Sequence, residues 1–396
     1  MGLLEVAYAG VADLPLHTGH VPAWLAAYMK KLARAIMEAV VEFYGPRRLV
    51  EYFADPVWFQ AFNNAIGMDW DSSGSTTVTI GIVRQVVEET PHLGIGVAGG
   101  KGRRARETPK DLEIIGERLG LPSRIVEELK YVSRLAAKTD SAVLQDGYTL
   151  YHHSVIVSED GAWVVIQQGM NVEAKMARRY HWRSPLPRTP TLEPHSAIAS
   201  QRREDFVVDL TSRKSLEARR LIVDLASENP SRLASSIREA YALAKGIVPL
   251  TMWSNVRDEA RRVIEQYRRY YRPQLKPPKN IEAVLRRVWE LSPRSFEELV
   301  MIEGVGPATL RSLALVAEII YGVPISHHDP ASSPIDPFRY AYIAGGKDGV
   351  PFPFRRDYAE KVLEFLEAVI REARLDEKSK RRALARIQRL ASLLPK

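Results

Sequence analysis

The chain contains no cysteine. A disulfide framework and a thiolate zinc site are thereby excluded, and any metal must be held by histidine, carboxylate or backbone oxygen. No apolar run approaches the roughly 20 residues needed to span a bilayer, so no membrane association is expected. Residues 1–20 lack a basic start followed by a continuous apolar core, so no signal peptide is expected and a soluble, intracellular (cytoplasmic) protein is anticipated. Neither sign of charge dominates: 56 Lys and Arg against 48 Asp and Glu leave a formal +8, compatible with a polyanionic partner without naming one. The Arg-rich, cysteine-free composition would also suit a thermophile.

What is present is enough for a large core: 396 residues, 45% of them hydrophobic, which suggests two or three domains. Apolar spacing of three and four predicts a helix over 22–43, and Pro56 opens another. Residues 91–98 read as a short buried strand running into a glycine-rich basic loop, followed by helices over 109–118 and 122–138. Residues 149–158 and 162–168 pair as a hairpin across Glu159, Asp160 and Gly161, because Asp-Gly suits the positive dihedrals of a tight turn. Four prolines within 182–195 interrupt helix, and beyond 212 nearly every segment has helical periodicity, with breaks at 272–280 and 324–353. The expected fold class is α+β. A mixed α/β, catalytic domain is anticipated over 1–181, a Pro-rich crossing segment over 182–211, and an all-helical DNA-binding region over 212–396.

The sharpest local signal lies at 295–322, which resembles a helix-hairpin-helix motif. Gly304 and Gly306 permit a tight turn, Pro307 is pre-set for a first helical turn, and amides near Ala308 and Thr309 would meet a phosphate with help from the helix dipole. Arg311 would add charge. Such contacts position a duplex without reading its sequence; an ordinary glycine-turn helical hairpin is the plainer alternative. A second phosphate cradle is expected at Gly99, Gly100, Lys101, Arg103 and Arg104, where amides and cations follow the strand. It is not a nucleotide-binding P-loop, since Ile95 and Gly102 occupy the diagnostic positions, so no nucleotide cofactor is expected. Further basic residues at 261–262, 268–272 and 378–382 would strengthen a salt-sensitive grip, with Tyr270 and Tyr271 available to stack on bases.

Candidate chemistry gathers in two places. Asp146, His152, His153, Gln167, Gln168 and Asn171 crowd polar groups onto an apolar hairpin. With Asp69 and Asp71 they supply oxygen and imidazole ligands for Mg²⁺ or Mn²⁺, although buried hydrogen bonds or helix capping by Asp71 explain the same residues. A histidine nucleophile of the phospholipase-D type lacks its lysine, because Val155 stands there. His17 and His20 are further potential ligands. The hairpin region is also similar to base-excision DNA glycosylases, which place a catalytic Asp about one helix later; Asp329 falls near that position, but no lysine follows the glycine turn. Across most of the chain, the segments at 58–62, 69–74, 98–102, 144–148, 152–153, 167–171 and 344–349 resemble domain-of-unknown-function family 763. That resemblance implies one integrated unit and names no reaction. The leading expectation is a DNA-processing or DNA-repair enzyme, first of all a metal-dependent nuclease in which Asp146, His152 and His153 act with Lys101 at a phosphodiester of the DNA backbone. A DNA glycosylase using Asp329 and a non-enzymatic DNA-binding module are the alternatives.

Overall fold

The structure, a computed structural model, describes residues 23–67, 74–174, 176–200, 203–245, 258–270, 276–331, 356–373 and 375–392. Asp69, Asp71, His17, His20, Tyr271 and the 344–349 segment lie outside them.

Three helices come first among the described residues. α1 (Ala23–Ala54) is broken at Gly45, whose φ of +81° no ordinary side chain adopts readily, and resumes at Pro46. α2 (Pro56–Ile66) starts where the Asp55 carboxylate accepts from the amides of Val57 and Trp58, and stops at left-handed Gly67. α3 is Ser75–Glu89. β1 (Ile95–Lys101) follows, then the single turn α4 (Arg103–Arg106), α5 (Thr108–Leu119) and α6 (Ser123–Lys138). A π turn over Thr139–Val143 leads into β2 (Leu144–Gln145), β3 (Thr149–Ser158), β4 (Trp163–Asn171), β5 (Met176–Arg183), β6 (Ala197–Ser200) and β7 (Val208–Asp209).

β1-β3-β4-β5-β6 form one five-stranded sheet, each strand antiparallel to its neighbour, and β2 pairs with β7. The β-branched runs at 155–157 and 164–166 suit strands buried on both faces. One face presents Ile95, Val97, Ile156, Val164 and Ile166 to α1–α3; the other presents Ala98, Val155, Val157, Val165 and Trp182 to Leu112 of α5 and Val126, Leu129 and Val132 of α6. Period-two alternation along each strand sorts the two sets.

The second half is helical: α7 (Leu216–Ala226), α8 (Pro230–Ala244), α9 (Asp258–Tyr270), α10 (Ile281–Leu291), α11 (Phe296–Met301) and α12 (Pro307–Leu315), packed around a core of their own. The fold is thus α+β, with a sheet-bearing N-terminal part and a helical C-terminal part. Two features depart from a simple division of the chain. The 182–211 segment supplies β6 and β7 to the sheets instead of acting only as a crossing. α13 (Arg356–Glu372) and α14 (Glu377–Ser392) return to the first core, where Leu366, Ile370 and Ile387 pack with α1 and α2.

Candidate functional site

Between α4, α6 and the open end of β3 lies a cleft of about 950 Å³. One side of α6 forms a wall, since Lys130, Ser133, Arg134, Ala137 and Ser141 recur at helical spacing and all line it. Arg103 and Arg106 of α4 stand opposite, and Leu150, Tyr151, His153 and Gln167 make the floor. Of the rim cations, Arg103 pairs with Glu107, and Lys130 is held by Glu113 and Glu127. Arg106 makes no ion pair with any described residue. Arg134 donates 3.1 Å to the carbonyl of Met301 at the end of α11. The cleft therefore adjoins the glycine turn between α11 and α12.

A continuous chain of hydrogen bonds runs inward from the cleft floor. Ser133 Oγ lies 2.7 Å from His153 Nε2, and His153 Nδ1 lies 2.8 Å from Gln167 Oε1. Gln167 Nε2 donates 2.5 Å to Asp140 Oδ2, an oxygen that also accepts from Trp182 Nε1 at 3.0 Å. Asp140 Oδ1 is 2.6 Å from His195 Nε2. All of these groups are buried. Burial lowers the pKa of His153, against a smaller opposing effect of its bond to Gln167, and so favours the neutral imidazole. Ser133, Asp140 and His195 carry no motif in the sequence; the π turn and the crossing segment bring the last two beside β4 and β5 only in the folded chain.

The other expected site residues fall in different places. His152 points to the opposite sheet face, with Nε2 3.2 Å from Ser154 Oγ, and burial pushes its pKa down to about 3. Asp146 is buried against Arg178 (2.8 Å), the Tyr180 hydroxyl (2.7 Å) and the Tyr148 amide (3.1 Å). Burial raises its pKa, with Arg178 opposing. Asp146, His152 and His153 thus do not converge, and among the described residues no group of three or more His, Asp or Glu is arranged to hold a metal. Asp329 is 2% exposed. Its two oxygens accept from Arg178 at 2.7 and 3.0 Å and from the amides of Glu204 and Ala331, so it faces this buried cluster and not the cleft.

The glycine-rich loop expected after residue 98 requires correction. Gly99, Gly100 and Lys101 are not a loop but the end of β1, in register with Ser154, His153 and His152. The Gly99 amide is already donated to Asp111 at 2.9 Å and its carbonyl accepts from Arg84 at 2.7 Å. Lys101, Arg103 and Arg104 remain exposed. At the second hairpin, Gly304 has φ +91° and Gly306 precedes α12. Its carbonyls face inward: Lys138 Nζ donates to Val305 at 2.5 Å and to Ile302 at 3.4 Å, and Gln145 Nε2 donates to Pro307 at 2.9 Å. Thr309 is buried with its hydroxyl toward the Gly304 carbonyl, Ala308 is half-buried, and Arg311 turns inward to Gln145 Oε1 at 3.0 Å instead of pointing outward as a phosphate contact would.

Comparison with curated proteins and with solved structures finds no match. A family model described as "Protein of unknown function (DUF763)" matches residues 10–354, most of the chain, and the protein belongs to that family.

Proposed function

We propose that this protein binds DNA across the face where the cleft meets the α11–α12 turn, and acts on a phosphodiester held over the cleft floor. The observation that carries this reading is the cleft itself, in which Arg103, Arg106 and Arg134 stand over a floor containing a neutral-leaning His153. Cations at a rim attract and orient a phosphate and stabilise charge that develops as its bond breaks. An uncharged imidazole nearby can accept a proton from the attacking group. The outward side of the glycine turn, adjoining through Arg134, would hold a neighbouring backbone phosphate in the manner of a helix-hairpin-helix. The cleft lining holds no carboxylate, so any Mg²⁺ or Mn²⁺ would be carried by the substrate phosphates and not by the protein.

The test is to incubate metal-stripped protein with end-labelled single-stranded, duplex, branched and uracil-containing DNA, adding Mg²⁺, Mn²⁺ or chelator. Products are resolved before and after alkali. Strand cuts by the wild type are expected, with Arg106→Ala weakening binding several-fold and reducing the slope of log K against log salt by about 1. Salt-sensitive binding without cuts would leave a binding module. No binding would end the proposal, and breaks appearing only after alkali would point to base release instead.

A further inference from the structure

We infer that Ser133 is the nucleophile of the cleft and that a covalent phosphoseryl–DNA intermediate forms there; this rests on the phosphodiester reading above. The hydrogen bonds themselves assign the roles. Asp140 as a carboxylate can only accept, so the Gln167 side-chain amide must turn its NH₂ toward Asp140 Oδ2 and its oxygen toward His153. An amide oxygen also only accepts, so His153 Nδ1 carries the hydrogen. In a neutral imidazole Nε2 then presents its lone pair, and the neighbour 2.7 Å away is the Ser133 hydroxyl, which donates to it. A serine whose proton already points at an oriented base is the arrangement that nucleophilic catalysis uses.

The placement agrees. Ser133 is on the cleft-lining side of α6, next to Arg134 and one turn before Ala137, which also lines the cleft. The expected step is balanced. Ser133 Oγ forms a bond to phosphorus as the bond from phosphorus to the leaving strand oxygen breaks. The serine proton passes to His153 Nε2 and from there to that oxygen. Water then attacks phosphorus, His153 takes the water's proton, and it returns this proton to Ser133 Oγ as the seryl bond breaks. The sum is a diester plus water giving a monoester and an alcohol. Gln167 and Asp140 are positioning residues, acting on His153 without touching substrate.

The experiment uses the full chain with end-labelled oligonucleotides, and separately with an alkyl fluorophosphonate that phosphonylates activated serines. The expected results are a labelled strand that stays with the denatured wild-type protein, phosphonylation mapped to Ser133, and loss of both in Ser133→Ala. Cleavage by Ser133→Ala should fall by about 1,000-fold or more, while DNA affinity stays at the wild-type value. Gln167→Leu should slow phosphonylation and cleavage together, about tenfold or more, again without changing affinity. Cleavage by Ser133→Ala at the wild-type rate, or cleavage by the wild type with neither adduct nor phosphonylation, would overturn the serine's role and leave the phosphodiester reading standing. Failure of the wild type to cut any strand would overturn that reading and this inference with it.

Discussion

Asp209 shows how far burial moves a single group. It is 2% exposed, and burial raises its pKa to about 6, although the amide and hydroxyl of Thr211 both donate to it and pull the other way. An acid whose folded pKa lies above its unfolded value costs stability once ionised, so its contribution is fully favourable below about pH 4 and is lost as pH rises through about 6. Asp209→Asn keeps an oxygen for Thr211 and removes the titration. The expected outcome is a variant more stable than wild type at pH 8, by on the order of 2–3 kcal/mol relative to their difference at pH 4, read from urea unfolding at both pH values. Nothing in the sequence around Asp209 signals this, because the segments that pair with it, at Leu144 and Ser326, are far from it in the chain.

At the scale of elements, the hairpin of β3 and β4 was open to sequence reasoning in detail. The turn at Glu159 to Gly161 sets the register, and His153 and Gln167, each seven residues from Asp160, face one another across it. Half of the relay was therefore legible from the turn alone. The glycine-rich stretch after Val97 was harder, because glycines read as loop when no partner strand is in view. Here they serve close packing: a Cβ on Gly96 would fall 2.3 Å from Ile115 Cγ2 of α5, and one on Gly99 would fall 2.4 Å from the His153 carbonyl. Gly96→Val should accordingly destabilise the protein by about 1–3 kcal/mol through overpacking, measured as a lowered urea midpoint with unchanged slope. A midpoint equal to wild type would show that α5 yields.

At the scale of the whole molecule, one buried cation joins distant parts of the chain. Arg178 of β5 is fully buried and pairs with Asp146 after β2 and with Asp329 beyond the helical core, while its Nε donates to Ser200 of β6. Arg178→Met would leave two buried carboxylates without their cation, at an expected loss of about 3–5 kcal/mol. A thermal midpoint within a degree or two of wild type would refute that account. Lys138 and Arg134 make a second junction, holding the α11–α12 turn against α6 and so against the cleft. By itself the sequence determined the mixed α+β class, the helical second half, the β3–β4 hairpin and the glycine turn, because these follow from local periodicity and turn chemistry. Only the tertiary structure decided which polar residues meet. Asp146 and Asp329 became a structural ion cluster, His152 and His153 were sent to opposite faces by strand alternation, and Ser133 and Asp140 were carried to His153 and Gln167. Such meetings depend on long-range packing of α6 on the sheet, which no local pattern encodes.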